Sequence, residues 1–293
     1  MTERALIELP APAPAALVIA RPPSMTSQEY AGQSSAPNTV RAYRADWADF
    51  TAWCARADRD SLPADSVTVA DYIAARAAGE GDAPALKVVT LERRLVAIAR
   101  AHQLAGHPSP VNEWVRTVLK GIRRTHGTAQ HRVEPVGVEV LRQTLAALPE
   151  TLLGTRDRAL LLLGFAGALR RSELVALDVA DVQSATDGLV LTLRRSKTDQ
   201  EARGVQKGIP FGANAATCPV RAVKAWLKAA ALKDGPLFRP LDRHGHVRSK
   251  RLNGSDVAVI VKRSIAAAGF DPDDYSGHSL RAGLATAAAA AGA

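Results

Sequence analysis

A histidine and an arginine near the carboxyl end of the chain have the spacing of an anion site. The stretch HSLR at residues 278–281 puts His278 three residues before Arg281, so on a helix the two side chains share one face. A guanidinium binds two phosphate oxygens at once, and an imidazole beside it can contact a third oxygen or move a proton. Ser276 or Gly277 can cap this helix, and a helix N-terminus favours anions. The alternative to an anion site is that His278 and Arg281 are ordinary surface residues.

A second arginine stands in the stretch GALRRSEL at residues 167–174. The apolar run before it predicts a buried helix that delivers Arg170 at its end, and Gly167 allows a tight turn there. Glu173 follows three residues later, close enough to hydrogen-bond the guanidinium and fix its plane. The pair predicts either an oriented phosphate clamp or a purely structural ion pair.

A lysine in the stretch RRSKTDQ, residues 194–200, is a candidate acid. Lys197 lies at the end of a predicted strand, where a hairpin turn can carry it into a groove. A lysine held there can protonate a leaving oxygen. The alternative is that Lys197 is simply a solvated lysine in a turn.

The net charge of the chain is +9, with a pI near 9.9, which indicates a polyanionic partner and nucleic acid first of all. Residues 190–263 hold 16 lysines and arginines against 5 acidic residues. A smaller basic cluster lies on one predicted helix between 110 and 125. Two solvated basic faces are the alternative to contact with double-stranded DNA. The residues predicted to contact DNA are Arg116, Lys120, Arg123, Arg124, Arg203, Lys207, Arg248, Lys250 and Arg251.

Helical periodicity dominates the chain, so the predicted fold class is mainly α with a small β-sheet or hairpin. The predicted order is a disordered arm at 1–36, a four-helix domain at 37–125, a linker at 126–136 and a second domain at 137–293. In the first domain we expect helices at about 38–57, 68–78, 87–104 and 110–125. In the second we expect a hairpin at about 188–211 and helices at about 137–148, 155–167, 218–231, 254–268 and 277–291.

The two cysteines, Cys54 and Cys218, lie far apart, and neither has a CxxC partner or a histidine at metal-ligand spacing. We therefore expect reduced thiols, no metal and no cofactor. No apolar run reaches the roughly 20 residues of a membrane span. The expected protein is soluble and cytoplasmic, with no membrane partner.

Taken in order, GALRRSEL, RRSKTDQ and SGHSLRAG resemble the motifs of the tyrosine recombinases, the phage integrase family of site-specific DNA recombinases. The resemblance covers residue 38 to the end. It implies a SAM-like helical core-binding domain followed by an α+β catalytic domain. Members cut one DNA strand with a tyrosine hydroxyl, which forms a 3′-phosphotyrosine bond and releases a 5′-hydroxyl, without metal or ATP. Four subunits normally assemble on two DNA sites.

The resemblance also implies a role for each motif residue. Arg170 and Arg281 are the paired clamp, and Lys197 is the general acid for the leaving hydroxyl. His278 assists proton transfer or contacts the phosphate, and Glu173 supports Arg170.

The chain departs from the family pattern after the second arginine motif. There the family carries a histidine or tryptophan and then the nucleophilic tyrosine, but this sequence has no tyrosine after Tyr275. Tyr275 precedes the motif, and Tyr30, Tyr43 and Tyr72 lie far from it. We therefore expect a catalytic domain cut short before its nucleophile, which binds DNA without cleaving it. The alternatives are a non-catalytic DNA-binding decoy or regulator of the same family, and a type IB topoisomerase.

Overall fold

The computed structural model describes residues 37–80, 84–128, 133–194, 204–290 and 292. They fall into two compact units, divided between residues 130 and 131. The predicted arm, Lys197 and Arg203 lie outside the described residues. Among those that are described, no helix combines the length and apolar character needed to cross a bilayer.

The described residues of the first unit form four helices, where periodicity predicts four. Side-chain caps begin two of them: Asp65 accepts from the Thr68 amide at 2.7 Å, and Asn112 accepts from the Val115 amide at 3.2 Å. The helices are α1 (Pro37–Arg56), α2 (Ser66–Ala78), α3 (Val88–Leu104) and α4 (Glu113–His126).

An aromatic cluster fills the core of this unit. Phe50 and Tyr72 are completely buried, and their ring centroids lie 5.0 Å apart in an edge-on arrangement. The Tyr72 hydroxyl donates to Asp49 at 2.7 Å, and Arg76 and Arg94 bind the same carboxylate. Tyr72 is therefore a core residue that a partly buried ion network holds in place.

The second unit is mainly helical around a small antiparallel sheet, which confirms the predicted fold class. Its helices are α5 (Val138–Ala146), α6 (Leu152–Ala166), α7 (Arg171–Ala176), α8 (Pro219–Ala229), α9 (Gly254–Ala267) and α10 (Ser279–Ala290). Its strands, in the order β1-β2-β3, are β1 (Val182–Ala185), β2 (Gly188–Leu193) and β3 (Val205–Pro210). Strands β2 and β3 form the predicted hairpin, and Leu193 pairs with Val205 at the end nearest the connection between them. Sequence patterns missed α7 and β1, because six and four residues are too short to show a period.

Helix α6 is the central element of this unit. Leu160, Leu161 and Leu163 are at most 1% exposed, so the C-terminal half of the helix is apolar and buried, and α6 packs against α8 and α10. On α8, the buried Trp226 donates its indole N–H to the Leu237 carbonyl at 2.8 Å. The end of α6, where Arg170 follows, is therefore anchored in the core.

Both cysteines are buried free thiols. Burial raises the pKa of the Cys54 thiol to about 11, so that thiol is neutral at physiological pH. The Sγ of Cys218 accepts a hydrogen bond from the Gly212 amide at 3.2 Å. Neither environment activates a nucleophile.

Candidate active site

The turn after α6 positions the first arginine. The Gly167 amide closes the helix by donating to the Leu163 carbonyl at 2.9 Å, and the Leu169 amide donates back to Gly164 at 3.1 Å. The left-handed residue of the turn is Ala168, with φ of 45°. Gly167 is needed for close approach, since a Cβ there would lie 2.9 Å from the Leu169 side chain.

Arg170 is oriented by a buried carboxylate. Its Nη1 donates to Glu173 Oε1 at 2.6 Å, and its backbone amide donates to Glu173 Oε2 at 2.9 Å. Glu173 is 4% exposed, whereas the Arg170 side chain is 23% exposed. One carboxylate therefore fixes both the guanidinium and the start of α7, as the three-residue spacing predicted.

The second arginine reaches the same turn from α10. Arg281 Nη1 donates to the Ala168 carbonyl at 3.0 Å. His278 stands just before the helix: its amide donates to Ser276 Oγ at 3.1 Å, and its carbonyl accepts from the Ala282 amide at 3.1 Å. The helix begins at Ser279, slightly later than predicted, and His278 is exposed at its N-terminal end.

Lys207 on β3 belongs to this cluster, a role that its charge alone did not predict. Its ammonium donates to the Gly167 carbonyl at 2.9 Å, so consecutive carbonyls of the turn accept from Lys207 and Arg281. Burial lowers the pKa of Lys207. Glu173 opposes that shift, while Arg281 and Arg170 add to it. The ammonium therefore lies within electrostatic range of both arginines.

The second unit thus gathers Arg170, Lys207 and Arg281 around one turn, with Glu173 as their buried counter-charge. Such a cluster of half-buried cations can bind an anion and stabilise negative charge that develops on it. Lys197 lies in the connection between β2 and β3, outside the described residues, so its predicted position is untested.

The basic residues predicted on α4 lie on its exposed side. Val115, Leu119 and Ile122 bury the opposite side of the helix. The exposed residues are Arg116, Lys120, Arg123 and Arg124. Arg123 pairs with Glu92 at 2.7 Å, and Arg116 lies 3.5 Å from Glu113.

The predicted loop residues differ from one another. Arg251 Nη1 donates to the Leu177 carbonyl at 3.1 Å, and its Nη2 pairs with Asp178 at 2.5 Å, so this arginine ties down the end of α7. Arg248 lies 3.5 Å from Asp242, and Lys250 is exposed. Sequence reasoning missed the structural role of Arg251, because its partners are more than 70 residues away.

Comparisons with known proteins agree with this fold. The profile of the phage integrase family matches residues 136–293. The chain is 40% identical over 272 residues to the integrase/recombinase xerD homolog of Selenomonas ruminantium, across 91% of this chain and 78% of that protein.

Solved structures share the architecture at low sequence identity. The Tn1549 transposon integrase in complex with transposon right end DNA has a TM-score of 0.60 at 14% identity, covering 92% of this chain and 86% of that one. A lambda integrase dimer bound to a COC′ core site has a TM-score of 0.53 at 15% identity, covering 91% and 84%. These likenesses show the fold. The family match and the 40% identical relative show that the chain belongs to the phage integrase family of tyrosine recombinases.

Proposed function

We propose that this protein is a site-specific recombinase that binds duplex DNA and holds one phosphate of it between Arg170 and Arg281. The observation that carries the proposal is the convergence of the two arginines on one turn, Arg170 through Glu173 and Arg281 through the Ala168 carbonyl. Paired guanidiniums held by fixed acceptors are preorganised for a charged phosphate.

The remaining motif residues complete the proposed chemistry. In the strand transfer of the family, a tyrosine oxygen attacks phosphorus, the 5′-oxygen leaves, and an acid donates a proton to it. We assign that acid to Lys197 and a phosphate or proton contact to His278, which lies at the same end of α10 as Arg281. The two arginines stabilise the charge that builds on the phosphorus oxygens. The later attack of a 5′-hydroxyl reverses the first step and reseals a strand.

A shared phosphate makes a quantitative prediction for DNA binding. The slope of log K against log salt falls by about 0.9 for each phosphate contact that is lost. If Arg170 and Arg281 hold the same phosphate, R170Q and R281Q each leave that phosphate paired with the other arginine and should change the slope little, whereas the double variant should lose about 0.9. Fluorescence anisotropy with one duplex measures the slope. A double variant that loses about 1.8 would show that the two arginines contact separate phosphates, and no loss would show no contact.

We further propose that none of the described tyrosines of these 293 residues is the attacking group. Tyr275 is 5% exposed and Tyr72 is fully buried, and burial raises the pKa of both phenols. Tyr43 lies on α1 of the first unit. A DNA-binding role without cleavage is therefore the second candidate function for this polypeptide.

A nicked suicide duplex separates the two candidates. The duplex should carry the recombination site, located first by footprinting with this protein. We expect a gel-shifted complex and no covalent band on a denaturing gel. A covalent band that disappears in Y275F or Y43F would overturn the assignment and identify the nucleophile.

The exposed basic side of α4 supports a second proposed DNA contact, to backbone phosphates and without base specificity. Family membership supports assembly of four copies on two DNA sites, which sedimentation of the protein–DNA complex would test. We infer a cytoplasmic location from this substrate.

A further inference from the structure

Arg171, the neighbour of the clamp residue Arg170, makes contacts of its own. Its Nη2 lies 3.3 Å from His278 Nε2, and its Nη1 donates to the Gly254 carbonyl at 3.5 Å. One guanidinium therefore joins the start of α7 to the beginnings of α9 and α10. The family motif residues Arg170 and Glu173 do not account for this contact.

The path of the Arg171 side chain depends on Gly277. A Cβ at Gly277 would lie 2.1 Å from Arg171 Cδ and 2.8 Å from its Cγ. The aliphatic stem of Arg171 therefore lies directly over the buried backbone of Gly277, the residue before His278. Only glycine leaves room for this packing, which limits the positions that the guanidinium can take.

The contact with His278 defines the state of the imidazole. A guanidinium carries only hydrogen-bond donors, so His278 Nε2 must be the acceptor. A neutral imidazole that accepts at Nε2 carries its proton on Nδ1. The nitrogen that can donate a hydrogen bond to a phosphate oxygen is then Nδ1.

We propose that Arg171 is a positioning residue that holds His278 as the Nδ1–H tautomer and fixes its ring beside the clamp. Arginine suits this role better than lysine, because its planar fork reaches His278 and the Gly254 carbonyl together. The significance of the proposal for catalysis rests on the proposed function. The tautomer itself does not, since it is a property of the protein without DNA.

Ring ¹⁵N shifts of His278, measured by long-range ¹H–¹⁵N correlation on the full chain without DNA, test the proposal. The chain has seven histidines, and the signals that disappear in H278Q are those of His278. The pH is kept high enough for neutral imidazoles. We expect the Nδ1–H pattern in the unmodified chain and its loss in R171Q. R171K should restore it only in part.

Two further variants separate positioning from a general structural effect. G277A keeps the charge of Arg171 but displaces its stem, so the Nδ1–H pattern should be lost as in R171Q. R142Q, which removes an exposed arginine of α5, should leave the pattern unchanged. The Nε–H resonance of Arg170 reports whether α7 remains folded in each variant.

An Nε2–H tautomer in the unmodified chain, or an unchanged Nδ1–H pattern in R171Q with α7 intact, would overturn the proposal. Loss of DNA binding in other variants bears only on the proposed function. The two can therefore fail separately.

Discussion

Arg281 Nη1 donates a hydrogen bond to the carbonyl oxygen of Ala168 at 3.0 Å, across 113 residues of sequence. Ala168 has a left-handed backbone, which costs a non-glycine residue about 1 kcal/mol. The bonds from Arg281 and Lys207 to this turn are charge-assisted and offset that cost. The turn leads directly into Arg170, so the same contacts that stabilise the backbone set the distance between the two proposed clamp residues.

Glu173 is expected to contribute to stability as well as to orientation. E173Q removes the buried charge that faces Arg170 and should lower the free energy of unfolding by about 2 kcal/mol. Urea unfolding measures the loss. The matched control is E139Q, because Glu139 pairs with Arg142 on the surface at 3.6 Å, and we expect a change within about 0.5 kcal/mol there. Equal effects in the two variants would contradict the role given to Glu173.

The lowered pKa of Lys207 should make the free energy of unfolding depend on pH in the alkaline range. Burial holds its pKa in the folded state below its ordinary value, whereas an unfolded lysine has a pKa of about 10.4. Between those two pKa values the unfolded chain binds more protons, so stability rises with pH relative to a variant without the amine.

We therefore compare unfolding of the unmodified chain and K207M by urea at about pH 7 and about pH 10. The difference in free energy, unmodified minus K207M, should become more positive at the higher pH. A difference that is flat or falls with pH would contradict the lowered pKa. K224M on the exposed side of α8 is the control and should show no such trend.

Gly283 allows α10, which carries Arg281, to pack closely against the segment that precedes α5. A Cβ at Gly283 would lie 2.1 Å from the Val136 carbonyl oxygen and 2.9 Å from the Phe165 ring. G283A should therefore destabilise the second unit by about 1–3 kcal/mol and shift the Arg281 Nε–H resonance.

The matched control for Gly283 is G121A on α4, where a Cβ would meet nothing within 4 Å. There the substitution should stabilise the helix by about 0.5–1 kcal/mol, because glycine is a poor helix former. Thermal unfolding monitored by circular dichroism distinguishes the opposite signs. Stabilisation by G283A would contradict the close packing of α10.

The exposed basic side of α4 should contribute to the salt dependence of DNA binding. K120Q is expected to lower the slope of log K against log salt by about 0.9, measured by anisotropy on a duplex of arbitrary sequence. R123Q should have a smaller effect, because Arg123 already pairs with Glu92. R59Q, on an exposed arginine of the same unit, is the control. An unchanged slope in K120Q would remove α4 from the DNA-binding surface.

Sequence patterns predicted the long helices well, and with them the positions of Arg170 on one element and Arg281 on another. The periodicity of α1 and the apolar run of α6 are strong signals, because many residues contribute to each. The contacts of Lys207, Arg171 and Arg251 were not predictable. Each depends on a backbone carbonyl or imidazole that is distant in sequence, and charge counts do not distinguish such residues from solvated ones.

The left-handed turn shows a second limit of the sequence. Gly167 predicts a tight turn, and the left-handed backbone of that turn belongs to the next residue, Ala168. Glycine is used here for close packing against Leu169 instead. Only the tertiary contacts of the turn, from α10 and β3, decide between the two residues.

Whether Arg170 and Arg281 bind one phosphate together can be measured without DNA. Inorganic phosphate is titrated into the full chain while the arginine ¹H–¹⁵N Nε resonances are followed. We expect the Arg170 and Arg281 resonances to shift together with a single dissociation constant. R281K should abolish the shift at Arg170, and exposed Arg142 should not respond. Shifts with separate dissociation constants, or shifts no greater than that of Arg142, would show that the two arginines do not bind one phosphate together.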